Sequence, residues 1–505
     1  MQQEQLLAYD LGTSGVKASI IAADGTVVGT QTESYPTHYA RGGIAEQNAL
    51  DWWSGICRAT QALIGRSPDS RTKIAAIGVS GHMLGCVPIG KDLEPLHPHL
   101  LHSDSRATAQ YAQICRDIGA QRLYQMSGNI LDARSSLCKI LWFRQCRPEI
   151  YEKTEKFLQS KDYIIARLTG DPDTTDYSDA SHGELMNITT RSYEPELFRQ
   201  LGVDMEKLPA LHRSCDIVGR VTQASAGELG LPAGIPVIAG GGDGACGSAG
   251  AGNLHPGDAY LSLGTTAWIA TVTEKPVIDP QQRLFNIMNL DGLTSSVYGT
   301  MQAAGASVNW VRELLGVGLD EMNRLAAEVE PGCEGLVYLP YLDGERSPIF
   351  DAQASGVFAG VNQIHKNGHF CRAVFEGVAY ALRQIADAQR EFLPLTRVHA
   401  IGGGMKSTLW SQIIADVTRL ELQTIPAPAE DATSLGIAAV AGSAVGIFES
   451  IDQALARFRP SGAIHPGVEN AKYEHMYQAY TRLYPALRET MHFLRQQKIQ
   501  KGEHL

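Results

Sequence analysis

Residues 235–252 read IPVIAGGGDGACGSAGAG. Apolar residues run into three glycines, an aspartate follows, and the rest is Ala, Gly, Ser and Cys at helix-like spacing. Small residues let a backbone approach another helix or a ligand closely. The lone carboxylate, Asp243, stands where the strand is expected to give way to the helix. Gly242, Gly244 and Gly247 also match a GxGxxG spacing, so a dinucleotide fold has to be weighed. Such a fold would open its domain with this turn and carry an acid at the end of the following strand. Here the stretch lies mid-chain and the next strand ends Thr271-Val272-Thr273, which rejects a dehydrogenase.

Working outward, the chain states the same pattern twice. Gln5–Tyr9 reads as a strand ending on Asp10, followed by the turn LGTSG and the strand VKASIIAADG. Strand, Gly/Ser/Thr turn and strand make a hairpin, with a further turn at Asp24-Gly25. Its tip gathers backbone N–H groups with the hydroxyls of Thr13 and Ser14, a concavity suited to phosphate oxygens. Asp10 could hold Mg²⁺ through water, because that ion keeps several waters and takes only one or two carboxylates. Residues 259–272, AYLSLGTTAWIATV, repeat this hairpin with Ser262 in the place of Asp10. Residues 433–446, TSLGIAAVAGSAVG, echo GDGACGSAGAG. Internal repetition of this kind predicts two homologous α/β lobes. The second lobe also carries AAGASVNWVREL (303–314) and AIGGGMKSTLWSQIIADV (400–417), a strand, Gly turn and helix able to receive a nucleotide.

Bulk properties narrow the class. The 505 residues are enough for two or more domains, and 44% hydrophobic with 19% charged residues is an ordinary globular composition. A net charge of −11 without a basic stripe argues against a nucleic-acid partner. The start MQQEQLLAYD lacks a signal peptide's basic and apolar regions, and no apolar run is long enough to span a bilayer. Nine scattered cysteines with no CxxC suit reduced thiols, so a cytoplasmic location is expected. Cys246 reads as a small buried hydrophobe. Residues 85–91, GCVPIGK, imitate a phosphate loop, but Asp92 replaces its hydroxyl and Pro88 removes an N–H. His97, His99 and His102 lack a second ligand cluster, which argues against zinc.

The set DLGTSGVK (10–17), GGGDGACG (240–247), SLGTT (262–266) and GGGMKS (402–407) resembles the FGGY carbohydrate kinases. Two longer stretches carry the same likeness. Ser136, Lys139 and Trp142 form a Ser-x-x-Lys-x-x-Trp core, with Arg134 departing from the usual opening residue, and 356–377 fits the family's second signature. The resemblance implies two ribonuclease-H-like lobes of the actin/Hsp70 type with a cleft between them, divided as 1–250 (sugar and first phosphate hairpin) and 251–505 (nucleotide). It implies ATP and Mg²⁺ as cofactors, and Asp243 as the base that takes the proton from a sugar hydroxyl. It places Asp10 at the metal, Thr13, Ser14, Lys17, Gly264 and Thr265 at the phosphates, and Gly305, Asn309, Gly403, Gly404 and Ser407 around the nucleotide. His82, Met83, Leu84, Asp104, Asp243 and Gly244 are implied on the sugar side. A homodimer with a small-molecule sugar and ATP as its ligands is implied as well.

The sugar side departs from the family pattern. His82-Met83-Leu84 stands where Gln-Met-His is usual, His102-Ser103-Asp104 where Trp-Asn-Asp is usual, and Gly244 where Asn or Gln is common. Each change moves or removes a hydrogen-bonding group where hydroxyls are read. The expected substrate is a ketose, D-xylulose first, with ribulose, glycerol or a tetritol as alternatives. A non-catalytic actin-like ATP-binding protein is the alternative of a different class.

Overall fold

The computed structural model describes residues 4–425, 431–455, 462–467 and 471–502. Two seven-stranded mixed sheets dominate it, and they repeat one topology. In the first, strands Gln5–Leu11, Gly15–Ala22 and Val27–Ser34 form an antiparallel meander. Strand Ile74–Gly81 pairs in parallel with the first of these, and Pro236–Ile238 pairs in parallel with it in turn. In the second, Ala259–Leu263, Ala267–Thr273 and Ser295–Met301 form the meander, and Arg397–Ile401 and Glu421–Thr424 extend it in parallel. The repeat read from 5–22 and 259–272 is therefore a repeat of whole sheets. The antiparallel edge strands come from different places in the order: Ile217–Arg220 precedes its neighbour, whereas Gly462–Ile464 follows its own.

The apolar strands are buried on both faces by helices, which is why Leu6, Leu7, Ala8 and Tyr9 are all buried in succession. Helix Ala49–Arg66 covers one face of the first sheet, with Asn48 accepting the Leu50 N–H as its cap. The 24-residue helix Asn367–Arg390, which contains the second half of the second signature stretch, is the central support of the second sheet.

The two lobes meet through the pair of small-residue helices. Asp243–Gly250 packs against Ala432–Ala444, and both are helical as their composition predicted. The backbones touch: a methyl group on Gly250 would lie 1.8 Å from the Ala432 carbonyl oxygen, and one on Gly436 would lie 2.1 Å from that of Cys246. No side chain fits either position, so glycine is required there. Cys246 is fully buried at this crossing, as expected of a small hydrophobe. Among the described residues no helix is long and apolar enough to cross a membrane.

Candidate active site

Asp10, Ser80 and Gly241 lie side by side on three neighbouring strands: Asp10 pairs with Ser80, and Gly241 pairs with Ser80 from the other side. Two residues beyond Gly241 the chain enters its helix at Asp243, so both carboxylates come to the same sheet end. The Gly244 N–H donates to Asp243 Oδ1 at 2.7 Å. Burial and the negative charge of Asp10 push the Asp243 carboxyl up to about 7, against that hydrogen bond. Burial likewise lifts Asp10 to about 6, opposed by Lys17 across the hairpin. Two buried carboxylates this close, both raised by burial and one of them also by the other's charge, form a site that favours a cation.

The sign of the pH effect follows. Asp243 holds its proton more tightly folded than at its ordinary 3.8, so its contribution to stability is fully present below about 4 and is lost as pH rises through about 7. Asp243→Asn is therefore expected to melt higher than the parent at pH 8, by a few kcal/mol at most, and to match it near pH 4. Equal differences at both pH values in urea unfolding would refute the raised carboxyl.

The first phosphate hairpin is braced from beneath. Tyr35 donates to the Gly12 carbonyl at 2.5 Å, and Gln47 Nε2 and Thr37 Oγ1 donate to that of Thr13 at 2.6 and 3.2 Å. Trp52 in turn holds Gln47 at 3.0 Å. The turn's carbonyls are thus tied down while Ser14 stays exposed at the tip. Lys17 does not sit free at the phosphate position: its ammonium pairs with Asp431 at 2.9 Å, at the start of the helix Ala432–Ala444.

The second hairpin is clamped to the nucleotide-side elements. The Gly305 N–H donates to the Gly264 carbonyl at 2.9 Å, and Ala304 and Ala306 N–H groups donate to that of Thr265 at 3.0 and 3.1 Å. Gly402, with φ of 108°, turns the chain directly beneath Leu263. Gly264, Thr265, Gly305, Gly403 and Gly404 consequently gather around the end of strand Ala259–Leu263. Asn309 lies on the exposed side of helix Gly305–Leu315. Ser407 is engaged elsewhere: it caps helix Thr408–Thr418 by accepting the Trp410 N–H at 3.1 Å and donates to Asn323 at 2.5 Å.

On the sugar side, strand Ile74–Gly81 ends in His82-Met83-Leu84-Gly85, with Leu84 at φ 59°. Ser136 and Lys139 of the first signature explain how this left-handed turn is held. Lys139 Nζ donates to the carbonyls of Leu84 and Leu101, both at 2.5 Å, and Ser136 Oγ donates to that of Gly85 at 2.9 Å. Gln159 closes the set by accepting the Gly85 N–H at 2.8 Å and donating to Ser136 at 3.0 Å. Met83 lies against Gly242, one residue from Asp243. Gly244 has only ordinary contacts at a Cβ position, so its lack of a side chain widens the cleft and is not imposed by packing.

The His82 ring is buried with both nitrogens unpartnered, 5.1 Å from the ring of His99 and 6.4 Å from that of His102. Burial, with His102 and Lys139 nearby, drives His82 down to about 3. Burial and the same lysine drive His102 to about 4. Both rings are neutral at physiological pH and can donate or accept. No cluster of three or more metal-ligating side chains exists among the described residues. Asp104 is fully buried and its oxygens are occupied, by the Ala45 N–H at 2.8 Å and the Arg106 Nη2 at 2.6 Å. Arg106 also pairs with Glu46 at 2.7 Å. Asp104 therefore braces the loop that carries His102.

Sequence reasoning passed over the support behind Asp243. Lys161 is fully buried and bridges Asp162, Asp176 at 3.0 Å and Asp179 at 3.2 Å. Asp176 accepts from Ser178 Oγ at 2.6 Å, and Ser178 Oγ accepts the Gly242 N–H at 2.9 Å. A buried charge cluster thus fixes the residue next to Asp243. Its signal was the dense Lys/Asp content of SKDY (160–163) and DYSDAS (176–181) in otherwise apolar surroundings.

The chain matches the model of the FGGY family of carbohydrate kinases, N-terminal domain, over residues 5–250 and that of the C-terminal domain over 259–445. It is 32% identical over 489 residues to the xylulose kinase of Bacillus subtilis strain 168, covering 95% of this chain and 96% of that protein. The crystal structure of a xylulose kinase from Rhodospirillum rubrum superposes with a TM-score of 0.90 at 27% identity, over 97% of this chain and 100% of the other. One from Brucella ovis does so with a TM-score of 0.90 at 27% identity, over 96% and 100%. With both family domains present over nearly the whole chain, the chain belongs to the FGGY family of carbohydrate kinases, sugar phosphotransferases that use ATP.

Proposed function

We propose that the chain transfers the γ-phosphoryl group of ATP to a terminal hydroxyl of D-xylulose, giving D-xylulose 5-phosphate. The observation that carries this reading is the position of Asp243, beside Asp10 and at the end of the sheet that holds the first hairpin. Asp243 takes the hydroxyl proton as the sugar oxygen bonds to γ-phosphorus; the bond to the β–γ bridging oxygen breaks and its electron pair leaves with ADP. Thr13, Ser14, Gly264 and Thr265 cradle the phosphates, and Gly305, Asn309, Gly403 and Gly404 line the nucleotide side. Lys17 reaches the phosphates by exchanging its Asp431 contact, and Ser407 acts by shaping the turn before its helix. Asp10 suits Mg²⁺ held through water, since one carboxylate with no complete protein ligand set is what that ion uses beside phosphates. Bound there, Mg²⁺ would neutralise charge on the β- and γ-phosphates.

His82, with Met83, Leu84 and Gly244, faces the sugar, and Asp104 acts through the loop it braces. The lobes divide near residue 250 into a sugar-binding and a nucleotide-binding half. The protein works in the cytoplasm as a homodimer. Xylulose kinases among its relatives support the choice of sugar. Sugar-stimulated ADP release across D-xylulose, D-ribulose, glycerol and erythritol tests it: the largest kcat/KM is expected with D-xylulose. A larger value for any other sugar would displace it.

A further inference from the structure

Outside the groups already assigned, Arg346 is a cation whose guanidinium makes no ion pair among the described residues. Arg346 comes from the second lobe, on the loop that follows strand Val337–Leu339. Its neighbour Glu345 is not its counter-ion, because Glu345 Oε1 is turned onto backbone, accepting the N–H groups of Gln302 at 2.6 Å and of Arg346 itself at 2.8 Å. The nearest acid across the cleft, Asp132, is taken by Arg134, which donates to it through Nε at 2.9 Å. Among the described residues the Arg346 guanidinium makes no ion pair; it lies over the ring of Phe285, 5.4 Å from its centroid. Enclosure and the charge of Arg134 pull its pKa down to about 10. An enclosed guanidinium without an acceptor is costly.

Its place in the cleft is defined by a short chain of contacts. Phe285 stacks on His182 at 5.4 Å on the first-lobe side and on Tyr298 at 5.4 Å. Tyr298 then donates to the Gly244 carbonyl at 3.3 Å, one residue from Asp243. Arg346 thus stands beyond Phe285 from the base, where the remote part of a substrate would lie.

The chemistry of a ketopentose supplies what Arg346 lacks. A 2-ketopentose that closes into a furanose does so through O5, so a substrate phosphorylated on O5 must be open-chain and must present a bare C2 carbonyl oxygen. That oxygen only accepts hydrogen bonds, and a guanidinium only donates them. We propose that Arg346 reads the carbonyl oxygen of an open-chain ketose, so that the enzyme selects ketoses over the polyols formed by reducing them. This rests on the sugar-kinase reading and names the group by which the site tells its substrate class apart. A site built to pair one polar group discriminates strongly against analogues that lack it.

The test compares D-xylulose with xylitol and D-arabinitol, its two C2 reduction products, by kcat/KM and by calorimetric binding in the presence of a non-hydrolysable ATP analogue. The wild type is expected to favour the ketose by about 100-fold or more. Arg346→Met is expected to lower ketose kcat/KM by about 30-fold or more and shrink the ketose-to-polyol ratio below about tenfold, with the KM for ATP little changed. Arg346→Lys keeps the charge without the fork and is expected to fall between; it also serves if the Met variant does not fold. A wild type that uses the polyols as well as the ketose, or a variant that loses both equally, would overturn the proposal. Arg346-dependent ketose binding without turnover would uphold it and count against the kinase reading. Turnover of a polyol with no ketose binding would do the reverse.

Discussion

Asp243→Ala is expected to lower kcat for sugar phosphorylation by about 10²–10⁴-fold while ATP affinity changes by no more than about threefold. On the proposed reading Asp243 is the group that takes the proton from the attacking hydroxyl, and among the described residues the adjacent carboxylate is Asp10. Asp10 lies on the neighbouring strand opposite Lys17 and is assigned to the metal. The proposed nucleotide-side elements hang from the second hairpin, from Gly305 and from the turn at Gly402, and neither these nor Thr13 and Ser14 of the first hairpin hydrogen-bond the Asp243 side chain among the described contacts. Turnover and nucleotide binding should therefore separate. Turnover by steady-state ADP release and nucleotide affinity by calorimetry decide the matter, and a variant that loses both together would point to collapse of the cleft.

Lys161→Met is expected to destabilise the first lobe by about 3–5 kcal/mol. The ammonium is wholly buried and is the single positive charge among Asp162, Asp176 and Asp179. Burial works against its charge, but the three carboxylates outweigh that and hold its pKa well above the ordinary value. Removing it strands buried negative charge, a loss comparable to a large part of a domain's net stability. The contrasting substitution is Asp179→Asn. Burial raises the Asp179 carboxyl well above its usual range, with Asp176 and Asp162 adding to the effect, so a neutral amide there is expected to cost less than about 1 kcal/mol. Urea unfolding followed by circular dichroism measures both. Because Ser178 links this cluster to the Gly242 N–H, folded Lys161→Met protein should also show reduced kcat. An unchanged unfolding midpoint would mean that the cluster is not what holds this strand.

The parts legible in the sequence were those written in local chemistry. A hairpin announces itself through a Gly-Thr-Ser turn between apolar runs, and its recurrence at 259–272 exposed the duplicated sheet. Asp243 was legible because it is the one charge in a run of small residues that cannot be a surface loop.

What stayed hidden was which polar groups are already occupied. Lys17 meets Asp431 from 414 positions away, so its ion pair leaves no trace in spacing. Ser407 looked like a pocket residue because the turn GGGMKS resembles one, but a serine before a helix is also a cap, and here it caps. Asp104 carried a family likeness to a sugar reader, yet Arg106 two residues on folds back to pair with it. Arg346 was invisible for the opposite reason. Only the three-dimensional surroundings show that its guanidinium makes no ion pair among the described residues.

The most direct test is ³¹P NMR of the reaction mixture containing ATP, Mg²⁺ and D-xylulose, with wild-type protein and with Asp243→Asn. The expected result is one equivalent of sugar 5-phosphate for each ADP formed by the wild type, and a drop of about 10²-fold or more with Asp243→Asn. Near wild-type formation of sugar phosphate by Asp243→Asn, or no sugar phosphate from any ketose or polyol with the wild type, would contradict Asp243 as the base of an ATP-dependent sugar kinase.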